Sequence, residues 1–258
     1  MQYNRLGKTG IQVSQLCFGT MSFGGDASPA ESAKMFAACR NKGINFFDCA
    51  NVYSKGKAEK ILGKLMTADR DELVITSKCN GAMSNDVNAK GNNRRNIALS
   101  VEASLKRLKT DRLDILFLHN WDAHTPLEET LRALENLVTQ GKVLYLGASN
   151  FSAWQVAKGL GISERLGGPR FDVIQPMYNL VKRQAEVEIL PMAQSENLAV
   201  VPYNPVGGGL LSGKYGKGKR PGTGRIISNK EYAVRYGEKW VYDAASKFTD
   251  LAKKKGIH

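Results

Sequence analysis

Six short apolar runs of the 258-residue sequence end in polar side chains: Asp48, Lys78, His119, Ser149 with Asn150, Gln175, and Tyr203 with Asn204. Each has an ordinary explanation alone: Asp48 could cap a turn, Lys78 could be solvated, and His119 could be a hydrogen-bonded core residue. The ordinary explanations weaken jointly, because three successive runs end in Asp, Lys and His. Tyr53 follows Asp48 by five residues, in the loop over the same place. A phenol with its usual pKa of about 10 is a poor proton donor at neutral pH. A neighbouring ammonium favours phenolate and would lower that value. Lys78 could supply the charge, Asp48 could hold Lys78, and His119 could orient a substrate oxygen or share the proton. The set suits protonation of a carbonyl oxygen while hydride reaches the carbon. No serine or cysteine stands in a nucleophile elbow, so hydrolysis is disfavoured.

The elements that would position these side chains alternate. Strand-like runs cover Ser14–Gly19, Ile44–Asp48, Leu73–Lys78, Leu113–His119, Val143–Ala148, Asp172–Gln175 and Ala199–Tyr203. Their continuous apolar, β-branched character fits strands buried on both faces. Amphipathic helices lie between them. Ser28 and Glu31 form a capping box with Pro29 at the first helical position; later helices carry Ala58, Ile61, Leu62 and Leu65, then Ile97, Val101, Leu105 and Leu108, then Leu127, Leu131, Leu134 and Val138. Strand ends recur every 26 to 41 residues, one βα unit each. This predicts a parallel α/β barrel of TIM type, with chemistry at the C-terminal strand ends. Met1–Cys17 reads as an N-terminal β-hairpin turning at Gly7 to Gly10. A last helix is predicted from about Glu231 to Lys255, with Trp240, Ala244, Phe248 and Leu251 on one face. No linker divides residues 1–258, which read as a single domain.

Composition narrows the function classes. With 42% hydrophobic and 24% charged residues, the chain is globular rather than disordered. No window reaches the roughly 20 apolar residues of a bilayer helix, and the polar N-terminus lacks a signal peptide's apolar core. Four cysteines (Cys17, Cys39, Cys49 and Cys79) without CxxC spacing predict buried free thiols and a cytoplasmic setting. Three histidines predict no metal site. The net charge of +13 is uneven: residues 207–258 hold 12 basic and 4 acidic side chains, or +8. That excess is read as small-anion binding near a glycine-rich loop rather than nucleic-acid binding. Gly208 to Lys214 fits GxxxxGK, but Tyr215 replaces the required Ser or Thr, so a phosphate-loop NTPase is rejected. No GxGxxG follows the first strand, which argues against a Rossmann dehydrogenase.

The stretches Phe47 to Ser54, Ile75 to Lys78, Leu116 to His119, Gly147 to Phe151, Ile174 to Asn179 and Val201 to Tyr215 together resemble the aldo-keto reductase superfamily. The likeness is nearest to bacterial reductases related to potassium-channel β subunits. It implies a (β/α)8 TIM-type barrel with an N-terminal hairpin, here expected to lack the eighth strand and the C-terminal segment that grips an adenosine 2′-phosphate. It implies a catalytic tetrad of Asp48, Tyr53, Lys78 and His119, with Tyr53 as general acid. Ser149, Asn150 and Gln175 would bond the nicotinamide carboxamide, and Tyr203 would stack on its ring. Asn204, Pro205, Val206, Gly207, Leu210, Ser212 and Lys214 would wrap the pyrophosphate, with Arg225 adding charge. Thr20 and Met21 would line the cofactor and substrate mouth, and Phe23 and Trp121 the substrate wall. The implied activity is reduction of aldehydes or ketones to alcohols with NADPH, in preference to NADH. A homo-oligomer is compatible with the likeness. A cofactor-binding regulatory subunit, or a shortened inactive paralogue, are the alternatives left open.

Overall fold

The computed structural model describes residues 1–257, which separate into two compact units. The first comprises Met1–Gln175 and Ile189–Val201. It opens with the expected hairpin: β1 (Tyr3–Arg5) pairs antiparallel with β2 (Gln12–Ser14). Seven parallel strands follow in chain order: β3 (Cys17–Gly19), β4 (Phe46–Asp48), β5 (Val74–Cys79), β6 (Leu113–Leu118), β7 (Val143–Ser149), β8 (Phe171–Gln175) and β9 (Ala199–Val200). Each pairs with its chain neighbour, and among the described residues β3 and β9 do not pair with each other. This is a curled α/β half-barrel of TIM type lacking a closing strand. β9 is shorter than expected, two residues instead of five.

Helices cover the sheet's outer face: α1 (Pro29–Asn41), α2 (Lys57–Leu65), α3 (Arg94–Leu108), α4 (Leu127–Thr139), α5 (Ala153–Leu166) and α6 (Ile189–Ser195). The capping box of α1 is formed: Ser28 Oγ accepts from the Glu31 amide, and Glu31 accepts from the Ser28 amide. The expected stripes of α2 to α4 are largely buried against the outward-facing strand residues Phe47, Ile75, Leu116 and Ile174. The opposite strand face carries a separate cluster of Phe46, Val74, Ile115, Phe117 and Val173, joined by Leu6 and Val13 of the hairpin. Alternation of period two therefore fixes which residues point inward. Gly147 on β7 makes room there, since a Cβ at that position would lie 2.4 Å from the Phe117 ring.

The second unit comprises Pro176–Glu188 and the residues from Pro202 onward. It holds a 3₁₀ turn (Gly207–Ser212) and three helices, α7 (Arg225–Ser228), α8 (Lys230–Arg235) and α9 (Lys239–Lys254). Its core is tyrosine-rich: Tyr215, Tyr232, Tyr236 and Tyr242 pack with Val181, Leu210, Ile226, Val241 and Ala245. The single predicted helix is instead broken at Gly237, where the backbone passes so close to Ala233 that a Cβ would lie 2.6 Å from its carbonyl oxygen. The predicted face is largely the wrong one, Ala244 alone of its four residues packing against the core. Val241, Tyr242 and Ala245 are buried, whereas Trp240, Phe248 and Leu251 are exposed. The small Ala245 and the ring of Tyr242 fit the tyrosine cluster. All four cysteines are free, but only Cys49 and Cys79 are buried; Cys17 and Cys39 are part-exposed. Among the described residues no helix is long and apolar enough to cross a membrane.

Candidate active site

The inner face of the first unit's strands continues upward into polar residues. Phe46 is followed two residues on by Asp48, Val74 by Thr76 and Lys78, Ile115 by Phe117 and His119, and Val173 by Gln175. Register aligns them: Asp48 sits opposite Thr76, Lys78 opposite Phe117, and Ser149 opposite Gln175. The same alternation that buries the apolar residues therefore collects the chemistry at the C-terminal strand ends.

Lys78 is fully buried and its ammonium has three partners. Nζ donates to Asp48 Oδ2 at 2.5 Å, to the Cys49 carbonyl at 2.7 Å and to the Tyr53 hydroxyl oxygen at 3.3 Å. An ammonium has three hydrogens, so its donor capacity is used completely. Because Tyr53 accepts from Lys78, its own hydroxyl hydrogen is directed elsewhere. The His119 ring stands edge-on to the Tyr53 ring, with centroids 6.1 Å apart. Asp48 is held on its other side as well: Oδ1 accepts from Thr76 Oγ1 at 2.8 Å and from Gln175 Nε2 at 3.0 Å.

The electrostatics differ from the sequence expectation at one point. Burial pushes the Tyr53 phenol up, to about 12, although Lys78 pulls against it. The expected lowering is absent because desolvation of phenolate outweighs one neighbouring ammonium whose charge Asp48 partly cancels. Tyr53 thus keeps its proton at neutral pH. Burial alone would depress Lys78, but Asp48 and Tyr53 outweigh it and raise its pKa, so it stays charged. Burial, reinforced by Lys78, pushes His119 down to about 4, which leaves a neutral imidazole at pH 7.

Three supports escaped the sequence reading. Thr76 is one. The second is Glu59 of α2, which is fully buried, accepts from Ser77 Oγ at 2.5 Å and from Arg107 Nε at 2.6 Å, and so ties the Tyr53 segment to β5 and α3. A lone Glu at helical spacing reads as solvated, so only its place on the otherwise apolar α2 stripe could have marked it. The third is backbone strain beside Tyr53, where Ser54 and Lys55 adopt φ of 48° and 54°. No residue type announced it.

Other expected residues of the first unit are placed as follows. Ser149 Oγ donates to the Gln175 carbonyl at 3.0 Å, and Asn150, at φ 58°, donates to the His119 carbonyl at 2.9 Å. Thr20 is buried and donates through both its amide and its hydroxyl to the Asp48 carbonyl, so it braces Asp48. Met21 is exposed, whereas Phe23 is fully buried against Phe18 and belongs to the core behind the mouth. Trp121 packs edge-on with Phe151 and with Trp154, at 5.4 and 5.6 Å between centroids. Trp154, 58% exposed, extends this aromatic group and was missed by the sequence reading.

In the second unit, Asn204 and the run Gly207, Gly208 and Gly209 adopt positive φ, from 60° to 97°. Pro205, Val206, Ser212 and Lys214 are exposed, and Leu210 is fully buried in the tyrosine core. Lys214 stands beside the loop: a Cβ on Gly209 would lie 3.0 Å from Lys214 Cε. Arg225 and Arg235 both stack on the Tyr232 ring, at 5.5 and 5.3 Å. Tyr203 is part-buried and pairs through its backbone with Met177 and Tyr178.

A profile of the Aldo/keto reductase family matches residues 15–258. A protein named probable voltage-gated potassium channel subunit beta, from Arabidopsis thaliana, is 39% identical over 233 residues, 88% of this chain and 70% of that protein. An uncharacterized oxidoreductase of Bacillus subtilis is 38% identical over 226 residues, 83% of this chain and 69% of that one. Norsolorinic acid reductase of Aspergillus flavus is 38% identical over 224 residues, covering 80% of this chain and 58% of the relative. With the profile spanning nearly its whole length, the chain belongs to the aldo/keto reductase family.

Proposed function

We propose that the protein reduces aldehydes and ketones to alcohols with NADPH, Tyr53 acting as general acid. The observation that carries this reading is the saturated ammonium of Lys78, which leaves the Tyr53 proton free for a substrate oxygen. When bound, the reduced nicotinamide supplies hydride to the carbonyl carbon. Tyr53 gives its proton to the carbonyl oxygen, which becomes a far stronger base than phenolate as hydride arrives. Lys78 faces the phenolate so formed, and water restores the proton. Neutral His119 orients the substrate oxygen by hydrogen bonding.

The residues present fit the cofactor's chemistry. In the first unit Ser149, Asn150 and Gln175 offer amide and hydroxyl groups for a carboxamide. In the second, Tyr203 offers a ring, and a glycine cradle in left-handed conformation stands beside Lys214, as phosphate binding requires. Arg225 adds positive charge. NADPH is favoured over NADH by the basic character of this unit. The aromatic group of Trp121, Phe151 and Trp154 favours aromatic carbonyls. The reading includes a cytoplasmic location and a single folding domain.

The test is a fluorescence titration with NADPH and NADH, followed by an aromatic aldehyde reduction assay. Tight NADPH binding with turnover supports the enzyme. Binding without turnover favours a cofactor-bound regulatory subunit, a reading motivated by the 39% identity to a protein named as a channel subunit. No binding of either nucleotide overturns both.

A further inference from the structure

Three successive glycines at positive φ are costly to order, because glycine loses the most conformational freedom when fixed. Something must hold Gly207 to Gly209 before a ligand arrives, or the ordering cost is subtracted from affinity. The hydrogen bonds around the loop converge on one hydroxyl. Tyr236, fully buried, accepts from Asn179 Nδ2 at 3.0 Å and from Asn204 Nδ2 at 2.9 Å. Asn204 in turn accepts the Gly208 amide on Oδ1 at 3.1 Å and the Gly207 amide on its carbonyl at 2.9 Å. That carbonyl also receives Asn179 Nδ2 at 3.0 Å. Asn204 itself sits at φ 67°, a conformation that asparagine tolerates better than most residues. The ring of Tyr236 lies under the loop, 3.4 Å from where a Cβ of Gly207 would be.

We propose that Tyr236 is a positioning residue for the dinucleotide's pyrophosphate: it anchors Asn204, which clamps the glycine loop in its binding shape. The inference rests on the cofactor reading above and assigns a residue outside the expected binding set. Both lone pairs of the Tyr236 oxygen are used by the two asparagine amides, so removing the oxygen releases both at once. Tyr232, the neighbouring tyrosine of the same core, supplies shape alone to this device: a Cβ on Gly208 would lie 2.5 Å from its ring.

The experiment compares the wild-type chain with Tyr236→Phe, Asn204→Ala and the double variant, by NADPH titration and by hydrogen exchange at the Gly207 and Gly208 amides. Tyr236→Phe is expected to weaken NADPH binding about tenfold or more and to speed exchange at both amides, with exchange in α9 unchanged. At saturating NADPH, kcat stays at the wild-type value. The KM for reduced nicotinamide mononucleotide, which has no pyrophosphate, also stays unchanged. The double variant should bind no worse than the weaker single one, because both substitutions release the same clamp. Additive losses, or Tyr236→Phe exchanging and binding as wild type does, overturn the proposal. Failure of the wild-type chain to bind NADPH overturns the cofactor reading instead, and this role with it. If Tyr236→Phe does not fold, Asn204→Ala still carries the exchange measurement, and unaltered Gly208 exchange there overturns the clamp.

Discussion

The two units solve the same problem, holding charge in a protein, with different emphasis. In the first, three buried or part-buried cations are held in ion pairs, Lys78 with Asp48, Arg107 with Glu59, and Arg70 with Asp114, and Lys78 also lies 4.9 Å from the Tyr53 ring centroid. In the second, cations lie on aromatic faces: Arg220 on Tyr242, Arg225 and Arg235 on Tyr232, Lys182 on Tyr236, and Lys214 on Tyr215. A buried pair fixes geometry to tenths of an ångström but is fragile to loss of either member. A cation on a ring keeps its charge available to an incoming anion. The difference suits the proton transfer proposed for one unit and the phosphate binding proposed for the other.

The contrast can be broken most forcefully at Lys78. Lys78→Met leaves Asp48 buried without its ammonium and should cost about 3–5 kcal/mol of stability, read from urea denaturation. Lys214→Ala, exposed, should stay within about 0.5 kcal/mol. Equal losses would mean that the units do not differ in this way. Acid is the next lever. His119 is held near 4 in the fold against an ordinary value of about 6.5, so the unfolded chain takes its proton first. Its contribution is full above pH 6.5 and is lost as pH falls toward 4, by about 1.4 kcal/mol per unit. Subtracting the profile of His119→Gln isolates it, and parallel profiles would refute the assignment. Gly147→Ala, which drives a methyl into the Phe117 ring, should cost about 1–3 kcal/mol by the same denaturation assay. A smaller effect than these is expected in the second unit, where Arg220→Ala removes a guanidinium 3.3 Å from the Tyr242 ring and should cost about 0.5–1 kcal/mol, still above the loss at Lys214.

The first unit was largely legible in the sequence. Its strands are short, continuous apolar runs alternating with amphipathic helices, so the strand order and the placing of Asp48, Lys78 and His119 at strand ends followed from pattern. What stayed hidden there depends on three-dimensional neighbours: the desolvation that raises rather than lowers Tyr53, the brace of Thr76, and the burial of Glu59 and Phe23. The second unit was legible in less detail: its basic glycine-rich loop and a C-terminal helix followed from composition and pattern, and the rest only from the resemblance to a family. Its C-terminal stretch carries two apolar stripes, and periodicity cannot say which one meets a partner. Val241, Tyr242 and Ala245 face the core, and the break at Gly237 reflects a close backbone approach invisible to hydropathy. The clamp of Tyr236 on Asn204 joins residues 32 apart with no motif between them.

The central claim is that Tyr53 delivers the proton and Lys78 sets it up. Single-turnover reduction of an aromatic aldehyde by Tyr53→Phe, preloaded with NADPH, tests it most directly. The hydroxyl alone is removed, so cofactor affinity by fluorescence should match wild type while the reduction rate falls by about 10²–10⁴-fold. A Tyr53→Phe variant that binds NADPH normally and reduces the aldehyde at a rate close to wild type would contradict the account.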